Sequence, residues 1–112
     1  MFLINRCALV VRPRRPYLDW ANSFDDSPNH PEDGEQTVYL APDFESDRGV
    51  AAYLRRHYPR IFEAELRAWM LDESTWPAQR DFETFNRWFE VEYHSIVADL
   101  CDTSLEKDLE PY

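Results

Sequence analysis

The chain has 112 residues and a formal charge of −10, with 22 acidic side chains against 12 basic ones. So acidic a chain has too little cationic surface to neutralise nucleic-acid phosphates, which excludes direct DNA or RNA binding as the expected function. An aromatic content of 15 %, including Trp20, Trp69, Trp76 and Trp88, argues against disorder and for one domain over residues 1–112 with a core built on large rings.

The charge is unevenly spread: residues 1–20 sum to +3, 21–47 to −8, 48–80 to +2 and 81–112 to −7. Eleven of the twelve cations are arginine, which pairs readily with carboxylates, so pairing with acids elsewhere in the chain is the plainest expectation for them. In "MFLINRCALVVRPRRP" Arg6 interrupts the apolar run and further charges follow it, unlike a secretory leader. No stretch approaches the roughly 18 apolar residues of a membrane span. The expectation is a cytoplasmic protein without membrane contact, in which Cys7 and Cys101 are reduced and buried as small hydrophobes.

Residues 2–11 are mostly apolar and end in Leu9, Val10 and Val11, which predicts a strand covered on both faces and ended by Pro13. Pro16 suits a first helical turn, and Tyr17, Leu18, Trp20 and Ala21 give a short amphipathic helix stopping near Ser23. "DDSPNHPEDGE", residues 25–35, has no period and predicts a mobile acidic surface loop. "TVYLAP" then reads as a second strand closed by Pro42.

Asp43, Ser46 or Asp47 is placed to cap a helix running to about His57. Pro59 disfavours helical geometry at Tyr58, so a break is expected there. A new helix follows, with Ile61, Phe62, Leu66, Trp69 and Met70 on its buried stripe and Glu63, Glu65 and Arg67 outward. "DESTWPAQ" is a loop.

From Asp81 two readings compete. Phe82, Phe85, Phe89, Tyr93, Ile96, Val97 and Leu100 fit one stripe of a continuous helix, but Val91 would then face water. In an extended chain after Trp88, Phe89, Val91 and Tyr93 share one face and Glu90, Glu92 and His94 the other. A bulge at His94–Ser95 would return Ile96, Ala98 and Leu100 to the apolar side. The β-branched residues favour helix to Trp88 and strand beyond. In the tail, residues 102–112, Thr103 and Glu106 offer a capping box for a short helix through Leu109. The expected architecture is α+β, a small sheet of about three strands packed by helices in the order β-α-β-α-α-α-β.

With Gly34 and Gly49 the only glycines, no glycine-rich phosphate cradle exists, and no CxxC, HExxH, GxSxG or EF-hand loop occurs. Ser95 and His94 are neighbours that point to opposite faces of a strand, and nothing local activates either cysteine, so no catalytic residue is assigned and no cofactor is expected. Two groups remain as candidate ligand-binding residues. Glu92 and His94 would emerge side by side from a strand; with Glu90 they are an incomplete metal site, short of a ligand such as Asp99, Asp72 or Glu73. Asp72, Glu73, Trp76 and Arg80 combine charge and an aromatic ring in one loop, a common binding composition. The plainer alternatives are a solvated strand face and a loop anchored by Trp76 in the core, with Asp72 or Glu73 bridged to Arg80. "RPRRP", residues 12–16, has a PxxP spacing but reads as a strand-to-helix connection whose arginines pair with acids elsewhere.

Arg12-Pro13, Pro16-Tyr17, Asp19-Trp20, Asp72-Glu73, Trp76-Pro77, Arg80, Trp88-Phe89, Glu92 and His94-Ser95, in that order, resemble the pattern of a family of small uncharacterised bacterial single-domain proteins. That resemblance implies a free-standing bacterial domain and ranks Asp72, Trp76, Arg80, Glu92 and His94 above other polar residues, but carries no activity, cofactor or partner. The leading functional expectation is a non-enzymatic acidic protein that binds a protein partner or a small polar ligand. Its alternatives are a metal-assisted hydrolase or lyase using Glu92 and His94, and an acidic mimic of nucleic acid.

Overall fold

The computed structural model describes residues 1–24 and 36–108. In chain order its elements are β1 (Phe2–Leu3), β2 (Arg6–Pro13), α1 (Arg15–Asn22), β3 (Thr37–Pro42), α2 (Asp47–Trp69), a 3-10 turn (Glu73–Thr75), α3 (Phe82–Trp88), β4 (Phe89–His94) and β5 (Ala98–Asp99). The α+β arrangement matches the sequence expectation: a three-stranded antiparallel sheet in the order β3-β2-β4, with helices packed on it. A two-stranded antiparallel β1-β5 ribbon extends it, pairing Phe2 with Asp99 and Leu3 with Ala98.

The central strand β2 pairs along its length on both sides, Leu9 lying between Tyr39 and Tyr93 and Val11 between Thr37 and Val91. Because side chains alternate across a strand, the odd-numbered residues share one face. Cys7, Leu9, Val11, Ala41 and Phe89 on that face are buried, under Val50, Ile61, Phe62 and Leu66 of α2 and Phe85 of α3. The expectation that β2 is covered on both faces is corrected: no described helix packs on the even-numbered side, because α1, α2 and α3 all close on the odd one.

The two helices expected to meet at Pro59 are one 23-residue helix, α2, that runs through the proline. Val50, Leu54, Tyr58, Ile61, Phe62 and Leu66 fall at helical spacing and all pack into the core, so a break would cost the burial of half the stripe. Pro59 and Arg55 lie on the exposed side, and the one backbone acceptor freed by the missing proline N–H therefore faces solvent. One outward and one inward assignment on this helix are also corrected. Glu65 is half-buried and accepts a hydrogen bond from the Tyr39 hydroxyl at 2.9 Å, while Trp69 is largely exposed and only its indole tip is engaged.

Tyrosine and tryptophan tips tie the helix ends together. The indole N–H of Trp20 donates to the Thr75 carbonyl, that of Trp69 to the Ala21 carbonyl and that of Trp76 to the Met70 carbonyl, at 2.9 to 3.0 Å. The Tyr17 hydroxyl donates to the Glu65 carbonyl at 2.8 Å. The three indole acceptors sit at helix ends, where carbonyls run short of partners within the helix, whereas Glu65 lies inside α2. Beneath them Tyr17, Trp20, Phe62, Phe85, Trp88 and Phe89 form a continuous set of tilted and edge-on ring contacts.

Helix α3 starts on Asp81, whose carboxylate accepts from the Thr84 amide at 2.8 Å and its hydroxyl at 2.6 Å. Those bonds, with one from Gln79, pull the Asp81 carboxyl down to about 2. The helix ends at Trp88, where the chain turns extended and Arg14 N–H donates to the Trp88 carbonyl at 2.7 Å. The strand reading beyond Trp88 therefore holds. The bulge does not: β4 stops at His94, the chain crosses to pair with β1, and no core remains to receive Ile96 and Leu100, which are 77 % and 80 % exposed. Cys7 is buried as expected, but Cys101 lies beyond the core and is exposed. Residues 103–108 are not helical, so the capping-box helix is absent there; Leu109 and the acidic loop 25–35 fall outside the described residues.

Phe62→Ala is expected to cost about 3–5 kcal/mol in urea unfolding, since the ring is fully buried among aromatic neighbours. Pro59→Ala, by restoring a backbone bond within one continuous helix, should stabilise the fold by ~1–3 kcal/mol; two helices abutting at residue 59 would give no gain in the same measurement.

Candidate functional site

The even-numbered side of the sheet is assembled from three strands. β4 contributes Glu90, Glu92 and His94, β2 contributes Ala8, Val10 and Arg12, and β3 contributes Val38 and Leu40. Register places Arg12 opposite Glu90, Val10 between Val38 and Glu92, and Ala8 between Leu40 and His94. The face thus has a charged side along β4 and an apolar side along β3, where Val38 and Leu40 are 58 % and 47 % exposed.

On the charged side one Glu92 oxygen meets both neighbours. The Arg12 guanidinium lies 2.5 Å from Oε2, and His94 Nε2 lies 3.3 Å from the same atom. Arg12 Nε also donates to Gln36 Oε1 at 3.1 Å. Glu92 and His94 thus stand side by side on an extended strand, the arrangement the alternation predicted, and Arg12 is paired with an acid from a distant segment. The Arg12 hydrogen bond, reinforced by His94, holds the Glu92 carboxyl below its ordinary range. The group is diagonal to its arginine partner, Glu92 facing Val10 directly and Arg12 facing Glu90.

The loop at 72–80 is built differently. Asp72 spends its carboxylate on the Ser74 amide at 3.0 Å and the Ser74 hydroxyl at 2.7 Å, opening the 3-10 turn and lowering its own pKa. Glu73 pairs with Arg67 of α2 at 3.0 Å, so the acid expected to bridge Arg80 bridges another arginine. Trp76 is only 8 % exposed and belongs to the core with Val11 and Phe89, as the anchored-loop alternative expects. The Arg67 and Arg80 guanidinium groups lie 5.1 and 5.8 Å from the Trp76 ring centre, and Arg80 donates to the Pro77 carbonyl at 2.6 Å.

Trp76 packs on the odd-numbered side of the sheet and Glu92 and His94 project from the even-numbered side. The structure therefore brings together Glu92 and His94, and separately Asp72, Glu73, Trp76 and Arg80, but not the two sets. Among the described residues no group of three or more His, Cys, Asp or Glu side chains is placed to hold a metal ion.

Arg12, Val38 and Leu40 were not among the site candidates drawn from the sequence. A signal existed in "TVYLAP", whose apolar residues occupy both strand faces. A strand apolar on both sides is either sandwiched or leaves one apolar side in water, and only the helix layer decides which.

The lowered Glu92 pKa gives a sign to acid sensitivity. Its ionised form is favoured by the fold, so the stabilisation is present above the ordinary carboxylate range and disappears as pH falls through the lowered pKa. In a carboxyl-resolved NMR titration, Glu92 is expected to titrate below the ordinary glutamate range and to move upward in Arg12→Met.

Comparisons with protein-family models, with curated proteins and with solved structures give no match to this chain, so what the chain does must be argued from its own surface.

Proposed function

We propose that the protein is a non-catalytic binding module and that the uncovered side of its sheet is the contact surface for another protein. The observation that carries this reading is the exposure of Val38 and Leu40 beside the Arg12–Glu92–His94 group on a regular, rigid surface. A sheet face left open in a monomer is normally polar, and contiguous apolar side chains rimmed by charge mark association sites. The charge balance of the face agrees: Arg6 and Arg12 offset Glu90 and Glu92, so this surface is locally near neutral on a chain of −10. A mimic of nucleic acid would instead concentrate its carboxylates on the contact face.

The β1-β5 ribbon continues the β2 and β4 strands and carries exposed Phe2, Leu3, Ile96 and Leu100, adding apolar area next to the face. That addition matters for size. Three strands about 4.8 Å apart and six to eight residues long offer roughly 400 Å² in projection, short of the ~800 Å² per partner of a stable complex. In this reading Val38 and Leu40 provide the apolar centre, and the Arg12–Glu92–His94 group orients the partner.

The test is site-specific photo-crosslinking in cells, with the photoreactive residue at position 38 or 40 and at position 63 on the outer side of α2 as the control. Discrete protein adducts are expected from 38 and 40, absent at 63, and lost from position 38 in a Leu40→Asp background. Adducts of equal yield at all three positions, or none at 38 and 40, would remove the reading.

A further inference from the structure

A second concavity lies on the other side of edge strand β3, between that strand and helix α2. It encloses about 250 Å³ and is lined by Leu9, Tyr39, Leu40, Ala41, Tyr53, His57, Arg60, Ile61 and Ala64. Its floor is apolar, formed by Leu9 and Ala41 from the sheet and Ile61 and Ala64 from the helix. Its polar wall comes from one stripe of α2, where Tyr53, His57 and Arg60 follow at helical spacing.

The groups on that wall are unspent. Arg60 makes no ion pair and no hydrogen bond with a described residue, whereas Arg12 and Arg67 are each paired with a carboxylate. His57 is engaged only through its ring, which lies against Tyr53 with centroids 4.2 Å apart, and the Tyr53 hydroxyl has no partner among the described residues. Among the described residues no acid lines the concavity. Of the two acids that flank Ala64 in sequence, Glu65 gives its carboxylate to the hydroxyl groups of Tyr39 and Thr37, and Glu63 is exposed on the outer side of the helix. Helix α2 itself carries five arginines against three acidic residues, so a cationic wall stands over an apolar floor on an otherwise acidic protein.

We infer that this groove binds a small amphipathic carboxylate, its apolar body on Leu9, Ala41, Ile61 and Ala64 and its head group on Arg60, with His57 and Tyr53 as further donors. The charge complementarity selects the head group: a guanidinium presents paired N–H donors to a carboxylate and offers nothing equivalent to an amide or an alcohol. The volume limits the body. A closed apolar cavity of about 150 Å³ holds one benzene ring, so this groove admits one ring or a short alkyl chain with its carboxylate at the mouth. The groove meets the uncovered sheet face only at Leu40, and neither proposal depends on the other.

The experiment is an amide-resolved NMR titration of the full chain with phenylacetate, with hexanoate and with the uncharged phenylacetamide. Both carboxylates are expected to bind saturably, shifting the signals of Tyr39, Ala41, His57, Arg60 and Ala64, and phenylacetamide to bind at least about tenfold more weakly. Arg60→Gln, at an exposed position, should leave the unfolding transition unchanged, weaken phenylacetate by about tenfold or more and erase the preference over the amide. Ala64→Leu, which fills the floor and leaves Arg60 in place, should also abolish binding. Equal affinity for the acid and the amide, an unchanged Arg60→Gln protein, shifts confined to other surfaces, or shifts that follow protein concentration in place of added carboxylate would each overturn the inference.

Discussion

The pairing of β2 on both its edges is the constraint from which the rest follows. A strand hydrogen-bonded on each side has its register set twice, and a slip of one residue would exchange its two faces. Such a slip would carry Arg12 and Glu92 toward Phe62 and Phe85 and expel Val11 and Phe89, burying charge in place of rings, at a cost of several kcal/mol. The register is therefore held by the contrast between the faces. It also seats α3, since Phe89 opposite Pro13 and the Arg14 N–H on the Trp88 carbonyl leave the helix no room to continue.

Two glutamates show how differently the two sides treat a carboxylate. Glu92, in water beside a guanidinium, has its pKa lowered and stabilises the fold more as pH rises out of the acid range. Glu65 is half-buried and its pKa is raised, burial outweighing the hydrogen bonds from Thr37 and Tyr39. Its sign is opposite: the contribution is complete below the ordinary carboxylate pKa and declines as pH climbs through the raised one. Burial next to that carboxylate also pushes the Tyr17 hydroxyl up, which keeps it a neutral donor to the Glu65 carbonyl.

Much of the architecture was legible because it follows from short-range period. The alternation Phe89, Val91, Tyr93 against Glu90, Glu92, His94 identified β4 and its faces, and Pro16 and Trp88 marked helix ends that the structure keeps. What failed depended on where the helix layer stops. Pro59 was read as a break because its local cost is plain, whereas the burial of Val50 through Leu66 that outweighs it is a tertiary quantity. Ile96 and Leu100 were placed in the core on composition, yet no helix reaches them. The loop at 72–80 has the composition of a binding loop, but its groups serve the turn, Arg67 and the Trp76 ring. The groove between β3 and α2 left no local signal, since its sheet residues, Leu9 and those at 39–41, lie at least 12 residues along the chain from the α2 residues that face them.

The three indole bonds have a dynamic consequence. Each runs between segments that share no secondary structure: α1 to the 3-10 turn, the end of α2 back to α1, and Trp76, just past the 3-10 turn, to Met70 at the end of α2. Opening any one strips a carbonyl from a second segment and uncovers a ring packed on a third, so fraying at one helix end is penalised at the others. Slow amide exchange in α1, the last turn of α2 and residues 70–76 should therefore share one protection free energy, as a single cooperative unit separate from the β1-β5 ribbon, which lacks such ties and exchanges by its own, shallower excursions.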